Sequence, residues 1–320
     1  MLLTSSYILA FPRPAPLQIR SGFVTVNGVK LHYLDWGGNG PAMLFLPGGG
    51  HSAYIFADIA PKFTESFRVL GLTRRGHGQS DKPKTGYDTG TLVEDIRLFL
   101  EAMKIKQVIL VGHSMAGDEL TRFAGMYPGR VIKLVYLDAA YDRSKMSESF
   151  ILSQLSDVFA LVAPSKQDLA SIDSYRSWLQ SKRHNFWSDA LEADMHEIVI
   201  ATPEGIKFAM PSYVGQAIVK GTEESHPDYT KVKAPALSFY AISSMSQFFW
   251  LTPEVPARIR KKAQDFLDEY LVPNQRKQIE QFKRDMVRGR VVEMPNTSHF
   301  CFIHKQDEVV REMRAFLLSK

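Results

Sequence analysis

Cysteine is almost absent from this 320-residue chain, with Cys301 the only one. That excludes a disulfide framework and a metal cluster of thiolates, and leaves small buried packing as the default role of the single thiol. Long apolar runs are missing as well. The apolar opening, residues 1–11, has no basic residues ahead of it, is too short to span a bilayer and is ended by Pro12, Pro14 and Pro16. It reads as a loose arm on a cytoplasmic protein, with a trimmed export signal as the alternative. Charge of one sign is not gathered anywhere either. The formal net charge is +5, yet Arg258 to Lys262 are followed by Asp265, Asp268 and Glu269, the pattern of a solvated helix face rather than a nucleic-acid surface.

What remains is a chain with 45% hydrophobic and 23% charged residues, enough for one large core and a sizeable insertion. Phe23, Val24 and Val26 lead to Asn27-Gly28, a strong hairpin signal, and Val29, Leu31, Tyr33 and Leu34 return. The apolar stretch 43–46 reads as a buried strand emptying into Pro47-Gly48-Gly49-Gly50-His51, where successive glycines imply close approach to the backbone. A helix is expected over 54–67, then a strand over 68–72 and the loop Arg74-Arg75-Gly76-His77-Gly78-Gln79-Ser80. Thr91 and Glu94 form a capping box for the next helix.

The organising feature is a serine at a corner. An apolar, β-branched segment over 107–111 meets Gly112-His113-Ser114-Met115-Ala116, after which Leu120, Phe123, Ala124 and Tyr127 recur at helical spacing. A serine hydroxyl is a poor nucleophile unless it is held exposed and relieved of its proton, and a sharp strand-to-helix turn does the first. Such a turn needs small neighbours, here Gly112 and Ala116, and it aims the Met115 amide at incoming negative charge.

The glycine-rich loop, the Arg-Gly-His-Gly-Gln-Ser loop and the serine corner stand in the order and spacing of the α/β-hydrolase superfamily, which the chain resembles over nearly its whole length. The resemblance implies a mostly parallel sheet with helices on both faces and a site at the carboxyl ends of the strands. Strands alternating with helices support the same α/β class independently. Ala116 departs from the glycine usual in this family by one methyl group.

After Asp142 the strand–helix rhythm stops. The segment 143–230 carries Phe150, Phe159, Trp178, Phe186, Trp187, Met195, Phe208, Met210 and Tyr213 without convincing strands, which reads as a helical cap forming an apolar pocket roof. The organisation expected is therefore an arm over 1–21, core over 22–142 and 231–320, and the cap between. A strand over 236–240, a helical region over 254–287 broken at Pro273, and a strand over 291–294 complete the core.

The superfamily places its general base in the loop after the last strand, here Pro295-Asn296-Thr297-Ser298-His299-Phe300. That assigns the base to His299, with His304 the neighbouring rival. His51 and His77 are candidates for the mouth of the site, and His32, His184, His196 and His226 for surface or packing. An acid usually follows the strand over 236–240, but no carboxylate stands there before Glu254. Asp138, at the end of the strand beside the nucleophile strand, is a position some members use instead; Asp142 is second and Glu254 third.

The chemistry implied is acyl transfer. Ser114 attacks a carbonyl, His299 takes its proton, the amides of Met115 and Gly49 hold the oxyanion, and Gly48 and Gly50 border the substrate. No cofactor or metal is required. The expected substrate is a hydrophobic small-molecule ester or lactone. Dehalogenases and epoxide hydrolases of this fold use an aspartate at the corner, and Ser114 argues against both. A carbon–carbon bond hydrolase, an acyltransferase or a ligand-binding receptor would keep the same residues, and oligomeric state is silent.

Overall fold

Residues 19–145 and 148–319 are described by the computed structural model. Most of the expected arm lies outside them, and its last two residues, Arg20 and Ser21, already belong to the first strand. Asn27 and Gly28 both take positive φ, 50° and 72°, in the turn between β1 (Arg20–Val26) and β2 (Val29–Gly37). Turns of that hand match the twist of paired antiparallel strands.

β2 also pairs antiparallel with β4 (Arg68–Leu72). From there the neighbours are parallel: β3 (Ala42–Leu46), β5 (Val108–His113), β6 (Val131–Leu137), β9 (Ala236–Ile242) and β10 (Gly289–Pro295). The eight-stranded order is β1-β2-β4-β3-β5-β6-β9-β10.

Because side chains alternate along a strand, a strand apolar at every position must be covered on both sides. Leu44 and Leu46 of β3 and Leu110 of β5 face a cluster with Phe99 of α1 (Thr89–Ala102), Phe123 of α2 (Ala116–Met126) and Phe282 of α9 (Val272–Asp285). Met43, Phe45, Ile109 and Val111 face the other way, toward Val309, Met313 and Phe316 of α11 (Gln306–Leu318). Cys301 is buried in this second cluster, where desolvation holds its thiol well above its ordinary pKa.

Several local expectations need correction. The helix expected over 54–67 is two 3-10 turns, Ala53–Phe56 and Ala60–Phe63. Pro61 lacks an N–H and its ring would meet the Ala57 carbonyl in a continuous helix, so the chain restarts there while Phe56, Ile59 and Phe63 stay buried. The cap of α1 is Asp88, whose carboxylate accepts from Thr91 N at 3.0 Å, rather than Thr91. Asp88 is the residue that lies three positions before that orphan amide. The region over 254–287 is α8 (Ala257–Phe266) running through a π-helical turn, Leu267–Leu271, into α9; Pro273 sits in the first turn of α9, where its missing N–H is tolerated.

The segment between β6 and β9 holds α3 (Glu148–Gln154), α4 (Ser156–Ala160), α5 (Ile172–Trp178), α6 (Asp189–Ile198) and α7 (Ser212–Glu223). It also holds a separate antiparallel pair, β7 (Val199–Thr202) with β8 (Gly205–Phe208), where no strands were expected. The signal is a short β-branched run, Val199-Ile200, returned by a two-residue turn ahead of Gly205 at φ 123°.

Close approach of α2 to the end of β6 depends on a glycine. A Cβ at Gly117 would lie 1.8 Å from the carbonyl oxygen of Ala139, which is backbone and has little freedom to move. Gly117→Ala is expected to destabilise the fold by about 3 kcal/mol or more, the upper end of what overpacking costs. Urea unfolding followed by circular dichroism measures it, and a loss under about 0.5 kcal/mol would show that helix and strand end separate easily.

Candidate active site

Four strands of the sheet deliver residues to one edge. β5 ends at His113, and Ser114 follows with φ 55°, a left-handed conformation that costs a residue with a Cβ about 1–2 kcal/mol. The turn is closed by Ser114 N donating to Leu137 O at 3.3 Å and by Gly117 N donating to Ser114 O at 3.0 Å. A Cβ on Gly112 would come within 2.7 Å of Leu120 Cδ1 and 3.0 Å of Ala116 Cβ. The sequence therefore folds into the corner because glycine and alanine stand on either side of the serine.

Beyond β10, the loop turns at Asn296 (φ 52°) and presents two histidines with different fates. His304 accepts from Ser298 N at 3.1 Å and stacks on Phe186 at 5.0 Å between ring centroids. His299 instead directs Nδ1 to Asp138 Oδ2 at 2.6 Å. Its side chain is 45% exposed against 7% for Asp138, so the imidazole reaches open space while the carboxylate is sealed beneath it.

Asp138 stands at the end of β6, also left-handed at φ 48°. Its Oδ1 accepts from Tyr141 Oη at 2.7 Å and from Ala241 N at 2.9 Å. Gln275 of α9 donates in turn to Tyr141 Oη at 2.7 Å and to Ala241 O at 2.8 Å, fixing the direction of each bond in the chain. The other two carboxylates go elsewhere: Asp142 meets Ser144 and, at 2.8 Å, Lys145, and Glu254 is exposed.

The glycine loop after β3 lies against the serine corner. A Cβ on Gly48 would fall 2.9 Å from His113 Nδ1 and 3.0 Å from Ser114 Cβ, so this contact admits only glycine. Arg74 ties the loop down from below, donating Nη2 to Pro47 O at 2.9 Å and Nε to Glu119 of α2 at 2.8 Å. Both partners of that ion pair are buried, which makes removal of either one far costlier than a surface pair. Among the described residues, no acceptor takes the N–H of Gly49 or of Met115. From above, Asp194 of α6 accepts from Ser52 N and Ser52 Oγ, each at 2.7 Å, and from His51 Nδ1 at 2.6 Å.

His113 is buried between these parts. Its Nε2 donates to His299 O at 3.1 Å and its ring lies 4.5 Å from that of His299. Desolvation first, then the neighbouring imidazoles, lowers its pKa well below the ordinary value, so it stays neutral where histidine normally titrates. His77 does not reach the mouth. It is fully buried, donates Nδ1 to Arg75 O at 2.9 Å, and is lowered to about 3 by burial and the charge of Arg74.

Ser114, His299 and Asp138 line one cavity of about 230 Å³ together with Tyr141, Arg143 and Gln275. Ser114 Oγ makes no hydrogen bond to His299 in this conformation. A larger cavity of about 670 Å³ adjoins the glycine loop through Gly50 and His51 and is walled by Trp178, Trp187, Met195 and Phe300. Gly48 borders neither of these. Sequence reasoning missed Arg143, Asp194 and the Tyr141–Gln275 bracket. For Tyr141 and Arg143 the signal was their place directly after Asp138; for Asp194 and Gln275, far off in sequence, there was none.

A family model described as the alpha/beta hydrolase fold matches residues 41–305. The chain belongs to the α/β-hydrolase family. A 2-(acetamidomethylene)succinate hydrolase of Mesorhizobium japonicum is 25% identical to this α/β-hydrolase over 240 residues, 72% of this chain and 84% of that protein. A non-heme chloroperoxidase of Streptomyces lividans is 31% identical over 168 residues, 52% of this chain. The latter match spans only 56% of the relative's length. Among solved structures, an E-2-(acetamidomethylene)succinate hydrolase superposes with a TM-score of 0.70 at 21% identity, covering 94% of this chain and all of that one; this likeness is one of fold. Among the described residues of this α/β-hydrolase, no helix is long and apolar enough to cross a membrane.

Proposed function

We propose that this α/β-hydrolase is a serine hydrolase that cleaves an ester or lactone of a hydrophobic small molecule through an acyl-enzyme. The observation that carries this reading is the 2.6 Å bond from His299 Nδ1 to Asp138, in a cavity wall shared with Ser114. With Nδ1–H committed to the carboxylate, Nε2 is the lone-pair nitrogen and takes the serine proton. A bond from Ser114 to His299 is of the kind that tightens when the acyl group arrives.

In the first step Ser114 Oγ adds to the substrate carbonyl as its proton passes to His299 Nε2. The oxyanion is held by the N–H groups of Gly49 and Met115, free of other acceptors and one of them at the start of α2. His299 returns the proton to the departing alcohol oxygen. Water then repeats the sequence on the acyl-enzyme and releases the acid. Asp138 steadies the imidazolium in both halves.

In the same reading residues 143–230 are a cap on a core formed by 22–142 and 231–320. Support comes from Asp194 on the glycine loop and from Val214 and Ile218 of α7 in one cluster with Met115. Trp178→Ala or Trp187→Ala is then expected to change the preference between long-chain and acetate esters by on the order of tenfold or more. A series of p-nitrophenyl esters measures this, and an equal loss on every chain length would assign these rings to stability alone.

The name of the Mesorhizobium relative, matched over 72% of this chain, favours a second reading in which the same serine and histidine act on a bond other than a simple ester. A hydrolysis screen across ester chain lengths, lactones and amides, run beside Ser114→Ala, separates the two. Multiple turnover on esters or lactones supports the first, and its absence with turnover of another acyl bond supports the second. Stoichiometric binding without turnover of anything would leave a receptor.

A further inference from the structure

The cavity that holds Ser114 has a mixed lining, with Ile151 and Ala241 among its polar residues. Tyr141, Ser243, Gln247 and Gln275 line it with the His299–Asp138 pair, and the sole lysine or arginine among its lining residues is Arg143. The side chains of Tyr141, Gln247 and Gln275 already have protein partners, which leaves the cation as the cavity's open polar group.

Arg143 is not a solvated surface cation. Its side chain is 16% exposed, and Nη1 donates to Asp118 Oδ2 at 3.1 Å, a carboxylate only 1% exposed. Asp118 lies in the first turn of α2, so the helix that begins beside Ser114 also anchors the arginine. Burial pushes the Asp118 carboxyl up to about 6, opposed by the charge of Arg143. A guanidinium carries five N–H donors in a rigid fork. Asp118 takes one of these, from Nη1, and among the described residues no other side chain accepts from Arg143. Asp138, the one carboxylate among the cavity's lining residues, already receives His299, Tyr141 and Ala241 N.

We infer that Arg143 is an anion-binding residue of the site and that the substrate carries a carboxylate close to its scissile carbonyl. This rests on the hydrolase reading above and narrows it to an amphiphile, with the charged group at Arg143 and the apolar part directed to the aromatic cavity past Gly50 and Phe300. Binding requires no proton transfer and no further group: the carboxylate exchanges water for the free edge of the guanidinium, two charge-assisted hydrogen bonds in place of hydration.

The test compares p-nitrophenyl hemiglutarate, which bears a free carboxylate, with neutral p-nitrophenyl pentanoate, and separately titrates glutarate into Ser114→Ala by calorimetry. In the wild type kcat/KM favours the hemiglutarate. In Arg143→Gln that ratio falls by about 10- to 100-fold, as loss of a hydrogen bond to a charged group implies, carried mainly by KM; Arg143→Lys recovers part of it. Glutarate binding to Ser114→Ala weakens by the same order when Arg143→Gln is added. Since Arg143→Gln leaves Asp118 buried and unpaired, the double variant Arg143→Gln/Asp118→Asn is measured beside it, and it shows the same loss of preference if it is the arginine that reads the anion. A wild-type preference for the neutral ester, or a ratio that moves less than about threefold in both the single and double variants, overturns the inference while leaving the hydrolase reading intact. Arg143-dependent glutarate binding without turnover of either ester has the opposite meaning: the anion site stands and ester hydrolysis falls.

Discussion

Ser114→Ala is expected to reduce acyl turnover by on the order of a millionfold, to the residual rate that the oxyanion amides and binding alone sustain. Removing one oxygen from a half-buried corner breaks no packing, and the variant keeps the left-handed turn, Gly112 and the α2 start. Its melting temperature and far-ultraviolet spectrum should therefore match the wild type. His299→Ala is expected to cost nearly as much, because a serine at its ordinary acidity is not a nucleophile at neutral pH. The two losses are not additive: once either member is gone the other has nothing to do, so the double variant should be no slower than the worse single one. Pre-steady-state release of p-nitrophenol provides the check, with no burst in either variant. Residual activity within about tenfold of wild type in one of them would remove that residue from the nucleophile or base role.

The parts of this molecule that were legible in the sequence are those encoded locally. Ser114 announces itself because a β-branched run, a glycine, a small residue and a helical period stand together within a dozen positions, and the sheet was readable for the same reason. Boundaries slipped where one residue overrules a pattern. Pro61 divides an otherwise helical apolar spacing into two 3-10 turns, and Asp88 outcompetes Thr91 as the helix cap. The small β7–β8 pair was hidden because two four-residue strands resemble the end of a helix followed by a loop.

The site was legible only where strand ends deliver it. His299 and Asp138 follow strands, so topology carries them to the same edge as Ser114. Arg74 was visible as part of a glycine-rich loop, but its work in holding the Pro47 carbonyl against α2 depends on Glu119, whose partner no spacing reveals. Asp194, 142 residues from Ser52, belongs to the same class. Long-range side-chain pairs depend on how helices dock, which periodicity does not specify. The interleaving of charge read from the sequence concealed a further distinction: Lys261 with Asp265 is an exposed pair of little energetic consequence, whereas Arg143, held by the buried Asp118, places a half-buried cation in the wall of the serine cavity.

Asp138→Asn is expected to lower kcat by about 10⁴ with little change in stability, and the reason lies in the donors around the carboxylate. Oδ1 is enclosed by two, Tyr141 Oη and the Ala241 amide, and Gln275 fixes the tyrosine so that its proton points inward. The oxygen of an asparagine must stay there, since turning its NH2 group toward the Ala241 N–H would orphan a buried donor at about 1–3 kcal/mol. The NH2 group is then forced against His299 Nδ1. An imidazole facing a donor presents its lone pair at Nδ1 and its proton at Nε2, the tautomer that cannot accept a proton from Ser114. The backbone gives no reason for the variant to unfold, because asparagine tolerates the φ of 48° found at this position at least as well as aspartate. Asp142→Asn, whose carboxylate meets Ser144 and Lys145 instead, is expected to change kcat by less than about threefold. Steady-state kinetics on one activated ester measure both. The reverse order of losses would move the acid role to Asp142, and near-normal rates in both variants would leave Ser114 and His299 working as a dyad.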